Sequence, residues 1–258
     1  MATFLFNSIV FGPVWSRRLG ESLGVNLLPV NRKVCNFNCI YCECGLTPDV
    51  NPAGEFPRAR EVKELLSLRL QEMKRNGEYL DSITFAGNGE PTLHPEFPGI
   101  MDDTIEIRNL LYPGAKITVL SNATLIGDKK IFTALQKADL NILKLDTVIA
   151  ETLQNINCPK GNYILADILH SMELFKGKML IQTLFFRGNL NGMTVDNTTE
   201  TEVTAWLLVL EQLHPECVMI YSIARDTAVQ GLESISQGEL ETIALRVEEI
   251  GINTQVTP

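Results

Sequence analysis

The sequence predicts a single-domain α/β fold assembled from parallel β-α units, and three observations carry that expectation. Short apolar runs alternate with longer segments of helical period along the 258 residues. An apolar content of 45% suits one sizeable core. No internal repeat and no long Pro/Gly/Ser linker divides the chain. Six units of this length fit a partial (β/α)6 barrel, with an active site at the C-terminal strand ends. A flat doubly wound sheet shares the same periodicity.

The candidate strands are residues 24–30, 82–86, 116–121, 141–146, 178–185 and 217–223. Residues 1–23 read as an N-terminal extension packing on the barrel, 24–223 as the barrel core, and 224–258 as a C-terminal helix and tail. After the first strand, Val62, Leu65, Leu66, Arg69 and Met73 keep helical spacing, and Gly77 supplies a stop. Later, Val203, Trp206, Leu207, Leu210 and Leu213 form an apolar stripe opened by Thr199 and Glu202 as a capping box. Ser236 and Glu239 repeat that device before the last helix. In the fourth strand Ile142, Lys144 and Asp146 share one face, Leu143 and Leu145 the other. Covering helices demand an apolar outer face, so Lys144 and Asp146 should point inward, as part of a site or as a buried ion pair.

The net charge of −9 speaks against a protein that grips nucleic acid by bulk electrostatics. From Asp196 onward there are 11 acids and 2 bases, whereas residues 1–40 carry Arg17, Arg18, Arg32 and Lys33 against Glu21 alone. No apolar run reaches membrane length and the first residues lack a basic leader, so a cytoplasmic protein without a membrane partner is expected.

Three of the six cysteines fall within eight residues, in VCNFNCIYCECG, where Cys35, Cys39 and Cys42 are spaced C-x3-C-x2-C. Ligation explains that spacing better than disulfides do. Cubane iron–sulfur clusters normally take four thiolates, so three close ones would leave one iron open to an outside ligand. A zinc knuckle, with Cys44 as fourth ligand, is the alternative. Cys44, Cys158 and Cys217 otherwise read as small hydrophobes. Directly after the second strand comes FAGNGEPTLHPEF; its Gly87, Asn88 and Gly89 could pass for half a dinucleotide fingerprint, but Pro91 falls where that helix should begin. Ser121 and Asn122 end the third strand, suited to ribose hydroxyls or to capping. His94, His170 and His214 read as structural.

The cysteine spacing, with Tyr41 just before the third cysteine, resembles the radical S-adenosylmethionine (SAM) superfamily. GNGEP resembles that family's G-G-E-P element, with Asn88 in place of the first glycine. FGPVWSRRLGESLGVNLLP and YSIARDTA resemble a small subgroup related to the tRNA wyosine-base synthases, from which Trp15 departs where proline is commoner. The resemblance implies a radical SAM partial barrel holding a [4Fe-4S] cluster on Cys35, Cys39 and Cys42. It implies SAM contacts at Tyr41, Asn88, Gly89, Glu90, Ser121 and Asn122, and an electron donor such as flavodoxin or ferredoxin. The N-terminal basic residues are candidates for docking that donor. The substrate would be a small molecule or peptide; a tRNA-modifying enzyme and a non-catalytic metal-binding module are the alternatives. Arg187 and Arg225, beyond the fifth and sixth strands, are candidates with Lys144 and Asp146 for the substrate side, where guanidinium forks would hold an anionic group.

Overall fold

A computed structural model describes residues 4–49, 56–161, 163–190 and 192–257. Eight strands form one curled sheet: β1 (Val10–Ser16), β2 (Gly20–Val25), β3 (Ser82–Phe85), β4 (Lys116–Ser121), β5 (Leu140–Lys144), β6 (Leu180–Leu184), β9 (Cys217–Tyr221) and β11 (Thr254–Thr257), in that spatial order. Every neighbouring pair is parallel except β1 with β2. Helices α1 (Ala59–Arg75), α2 (Phe97–Leu111), α3 (Lys129–Leu135), α4 (Ala150–Ile156), α5 (Leu165–Glu173), α6 (Glu200–Leu213) and α7 (Gln237–Glu249) connect and cover the strands. A small antiparallel sheet of β7 (Phe186–Leu190), β8 (Met193–Asp196) and β10 (Leu232–Ser234) lies beside it. This is the partial barrel, and the flat doubly wound alternative falls away.

The six anticipated strands are present, five of them with shifted ends. The first runs from Gly20 to Val25, because Asn26 turns the chain by accepting from the Leu28 N–H (3.2 Å) and donating to its carbonyl (3.0 Å). The boundary set at residue 24 therefore falls inside β2, and the C-terminal tail joins the sheet as β11. The strand alternation divides two environments. Leu23, Ile83, Val119, Leu143, Ile181 and Val218 face outward into the main core with the helices. Ile142, Leu180 and Met219 face inward and pack with Leu120 in the lumen. The inner face also carries a hydroxyl ladder, in which Ser22 meets Thr84 (2.7 Å), Thr84 meets Ser82 (3.0 Å) and Ser82 meets Thr118 (2.7 Å). Pairing among themselves makes these hydroxyls tolerable in a buried place.

Candidate functional site

The cysteine loop leaves the C-terminal end of β2 and is held from three sides. Val34 pairs with Gly89 in a parallel bridge; its N–H donates to the Asn88 carbonyl (2.8 Å), and its own carbonyl accepts from Glu90 (3.1 Å). On another side Asn38 and Ile40 donate to the carbonyls of Asn157 and Ile156 (both 3.0 Å), and Lys160 donates to Asn36 (2.8 Å). Phe37, Ile40, Tyr41, Ile156, Leu184, Phe186 and Val195 give the loop an apolar core of its own, against which Cys35, Cys42 and Cys158 pack.

Each sulfur of the C-x3-C-x2-C group has a hydrogen-bond partner. Cys35 Sγ accepts from the Phe37 N–H (3.4 Å) and from Asn122 Nδ2 (3.5 Å), and Cys39 Sγ accepts from Asn157 Nδ2 (3.3 Å). Cys42 is hydrogen-bonded by Cys44 and by Lys33, which together bring its thiol down to about 5. Burial pushes Cys35 up to about 12 and also raises Cys39. A metal that binds there must displace those protons, which is how thiolate ligation ordinarily proceeds. Among the described residues no three His, Cys, Asp or Glu side chains converge as the ligands of one ion would.

Lys33 does not lie on the surface as the basic patch requires. It is 3% exposed, and its Nζ donates to the Gly45 carbonyl at 2.8 Å. Burial alone would lower its pKa, but the thiols of Cys42, Cys35 and Cys39 outweigh that and raise it. A cation buried beside the three cysteine sulfurs faces them rather than solvent, so Lys33 offers no exposed charge to a docking partner.

Glu90 and Asn88 are braces. Glu90 is buried; its carboxylate accepts from the Thr92 N–H (3.1 Å) and hydroxyl (2.6 Å), from Ser121 Oγ (2.9 Å) and from the Asn122 N–H (2.6 Å). Burial nonetheless pushes its carboxyl upward. The Asn88 side chain accepts from the Phe6 N–H and donates to the carbonyls of Phe6 and Pro29, all at 2.9 Å. Its amide therefore pins the N-terminal segment, while its backbone N–H donates to Asn26 Oδ1 (3.1 Å) and its carbonyl, already accepting from Val34, keeps a second lone pair. Asn122 reaches Asn36 Oδ1 (2.7 Å) as well as Cys35. The glycine element, the β4 end and the cysteine loop thus form one frame.

The inward-pointing pair formed by Lys144 at the end of β5 and Asp146 just beyond it is a buried ion pair. Asp146 lies 3.5 Å from Lys144 Nζ, accepts from Tyr41 Oη, Asn157 Nδ2 (2.7 Å) and the Leu184 N–H (3.0 Å), and is fully enclosed. Lys144 Nζ also donates to Tyr41 Oη at 3.0 Å. The pair positions Tyr41, whose ring meets Phe186 edge-on at 5.3 Å. Arg187 departs from its expected place at the barrel mouth. The chain continues past β6 into the β7–β8 hairpin, where Arg187 binds Glu239 (2.6 Å) and flanks Asp196 (3.9 Å). Arg225 stays at the mouth, paired with Glu43 of the cysteine loop (2.9 Å).

A lumen cavity of about 380 Å3 connects these elements, bounded by Tyr41 and Glu43 on one side, Ser22 and Thr84 on another, and Tyr221, Arg18 and Arg225 elsewhere. Asn36, Asn157 and the lumen position of Arg18 escape a reading of the sequence, since no local pattern separates them from ordinary loop residues. His94 is structural, its Nε2 hydrogen-bonded to the Pro57 carbonyl (2.7 Å) and its Nδ1 accepting from the Glu96 N–H (3.0 Å). No helix among the described residues is long and apolar enough to cross a membrane.

Residues 33–201 match the family model described as the Radical SAM superfamily. Over 183 residues the chain is 33% identical to a UPF0026 protein of Helicobacter pylori strain J99, covering 70% of this chain and 57% of that one. The chain thus spans little more than half the length of that relative. Its fold is similar to a radical SAM methyltransferase from Sphaerobacter thermophilus, with TM-score 0.67, 14% identity and coverage of 92% of this chain and 65% of that chain. It is also similar to TYW1 with a lysine-pyruvate adduct bound, with TM-score 0.62, 16% identity and coverage of 88% and 73%. With a thiol-bearing loop braced by the glycine element at the mouth of a half-barrel, and a family match over most of that barrel, the chain belongs to the radical SAM superfamily.

Proposed function

We propose that this chain is a radical SAM enzyme acting on a small molecule or peptide held in the lumen, with a [4Fe-4S] cluster on Cys35, Cys39 and Cys42. When bound, cluster and SAM together supply one-electron cleavage of the sulfonium, giving a 5′-deoxyadenosyl radical able to take a hydrogen atom from substrate. The observation that carries this reading is the set of N–H donors and the Lys33 ammonium already turned toward the three sulfurs.

The chain's own residues then divide the work. Lys33, Asn122 and Asn157 stabilise thiolate charge. Gly89, Glu90 and the Asn88 backbone would offer acceptors to the SAM ammonium, Ser121 and Asn122 would stand beside its ribose, and Tyr41 would form a lumen wall fixed by Asp146. The apolar core around the loop excludes water from the reacting centre. An external one-electron donor of flavodoxin or ferredoxin type completes the reading, and the acidity of the chain speaks against RNA as substrate.

Anaerobic reconstitution tests the proposal. Wild type should take up about four irons per chain and release 5′-deoxyadenosine from SAM under dithionite. Alanine at Cys35, Cys39 or Cys42 should abolish both, while alanine at Cys44, Cys158 or Cys217 leaves iron near the wild-type level. A fully loaded wild type that yields no 5′-deoxyadenosine, or a Cys44→Ala protein as empty as Cys42→Ala, would overturn it.

A further inference from the structure

Resting on the reading of the lumen as the substrate chamber, we propose that Arg18 is the anchor for an anionic group of the substrate, a carboxylate or a phosphate. Arg18 stands in the turn between β1 and β2, at the edge of the curled sheet. Its side chain crosses the open seam of the half-barrel: Nη1 donates to Gln182 Oε1 (3.4 Å) on the inner face of β6, and the guanidinium lies 4.5 Å from the Tyr221 ring centroid at the end of β9. Its carbonyl is tied across the same seam by Gln255 Nε2 (3.4 Å). A pair of neutral partners thus fixes the planar group while leaving most of its five donors unspent.

The charge balance points the same way. Among the described residues no carboxylate stands within ion-pair distance of Arg18, whereas Arg69, Arg108, Arg187, Arg225 and Arg246 each have one. Arg18 is half-buried, so solvent screens it only in part. In a chain of net charge −9, the cavity wall holds Arg18 beside an Arg225–Glu43 pair that is already balanced. Such a lumen attracts an anion before any specific contact forms. The forked donor then orients a carboxylate or phosphate. Tyr41 lines the same cavity, so a molecule held by Arg18 faces the cysteine loop.

Calorimetry on the reconstituted protein, with inorganic phosphate and with acetate as separate probes, tests this. Wild type should bind at least one of them, and Arg18→Gln should weaken that binding tenfold or more. Preference for phosphate would assign a phosphate ester, and preference for acetate a carboxylic acid. A second measurement needs no variant: phenylglyoxal modification of Arg18 in wild type, located by peptide mass, should slow when the bound probe is present. Absence of binding by wild type, unchanged affinity in Arg18→Gln, or unprotected Arg18 would overturn the inference. Formation of 5′-deoxyadenosine by wild type without substrate is scored separately, so a failed anion site and a failed radical reading give different results.

Discussion

An ammonium buried among thiols carries more electrostatic weight than one in solvent, and Lys33 is in that position. At an effective dielectric near 20, unit charges about 6 Å apart interact by roughly 3 kcal/mol. Such a cation favours the more negative, reduced state of whatever the cysteines hold. Lys33→Met should therefore lower the midpoint potential of the reconstituted protein by about 59 mV or more, a tenfold change in a one-electron equilibrium. Lys33→Arg should recover part of it. Potentiometry followed by electron paramagnetic resonance checks both, and equal midpoints in Lys33→Met and wild type would remove Lys33 from the electrostatics of the site. Glu90 makes the complementary case for an anion. Replacing it by Gln turns one acceptor oxygen into a donor facing N–H and O–H groups of Thr92, Ser121 or Asn122. Leaving one of those groups unsatisfied costs about 1–3 kcal/mol, so Glu90→Gln should unfold at lower urea as well as bind SAM more weakly. An unchanged urea midpoint would refute the bracing role. At this scale the cysteines were legible because their spacing is itself the signal. Lys33 was misplaced because sequence charge counts do not say which way a side chain turns.

Elements were legible where periodicity and core coincide, and less so where hydrogen bonding alone ends them. Strand β4 has the anticipated limits, whereas β2 stops at Val25 because the Asn26 side chain takes over the turn. The small sheet of β7, β8 and β10 went unseen, since its strands are short and half-exposed and offer no apolar alternation. Ser236 and Glu239 do form a complete capping box. The Thr199 box is only half made: its hydroxyl accepts from the Glu202 N–H, but the Glu202 carboxylate turns to Thr147 Oγ1 (2.6 Å) and Thr152, tying α6 to the loop after β5 and to α4. The junction that matters most for the site is the bridge from Val34 to Gly89. Gly89 has φ of +133°, and a Cβ there would stand 1.9 Å from the Val34 carbonyl oxygen. No side chain can relax that contact, because the obstacle is backbone. Gly89→Ala should separate the glycine element from the cysteine loop, with iron uptake at least tenfold weaker while far-ultraviolet circular dichroism retains the wild-type helix signal. Normal iron uptake by Gly89→Ala would show that the bridge is dispensable.

Among the described residues, the two larger apolar cores do separate work. The larger, between sheet and helices, runs from Leu23 through Ile83, Leu143 and Val218 to Val247 and contains no cysteine. The smaller surrounds the cysteine loop and brings Cys39 into contact with residues from the loop after α4, the end of β6 and β8. Binding at the cysteines therefore stabilises one end of the barrel directly and the remainder only through linkage. Removing iron from the loaded protein with an anaerobic chelator should leave the main sheet folded. It should also loosen the loop, because Lys33 then faces neutral thiols at Cys35 and Cys39, whose burial favours the protonated form. Amide hydrogen exchange resolves the two cores. Protection at residues 34–45 and 156–160 should fall on iron removal, while amides in β3, β4 and β5 keep theirs. The Asn38, Ile40 and Lys160 amides, which join those two segments, should respond together. Loss of protection spread evenly through both cores would mean that the barrel and the cysteine loop fold as one unit, and that the metal holds the entire sheet together.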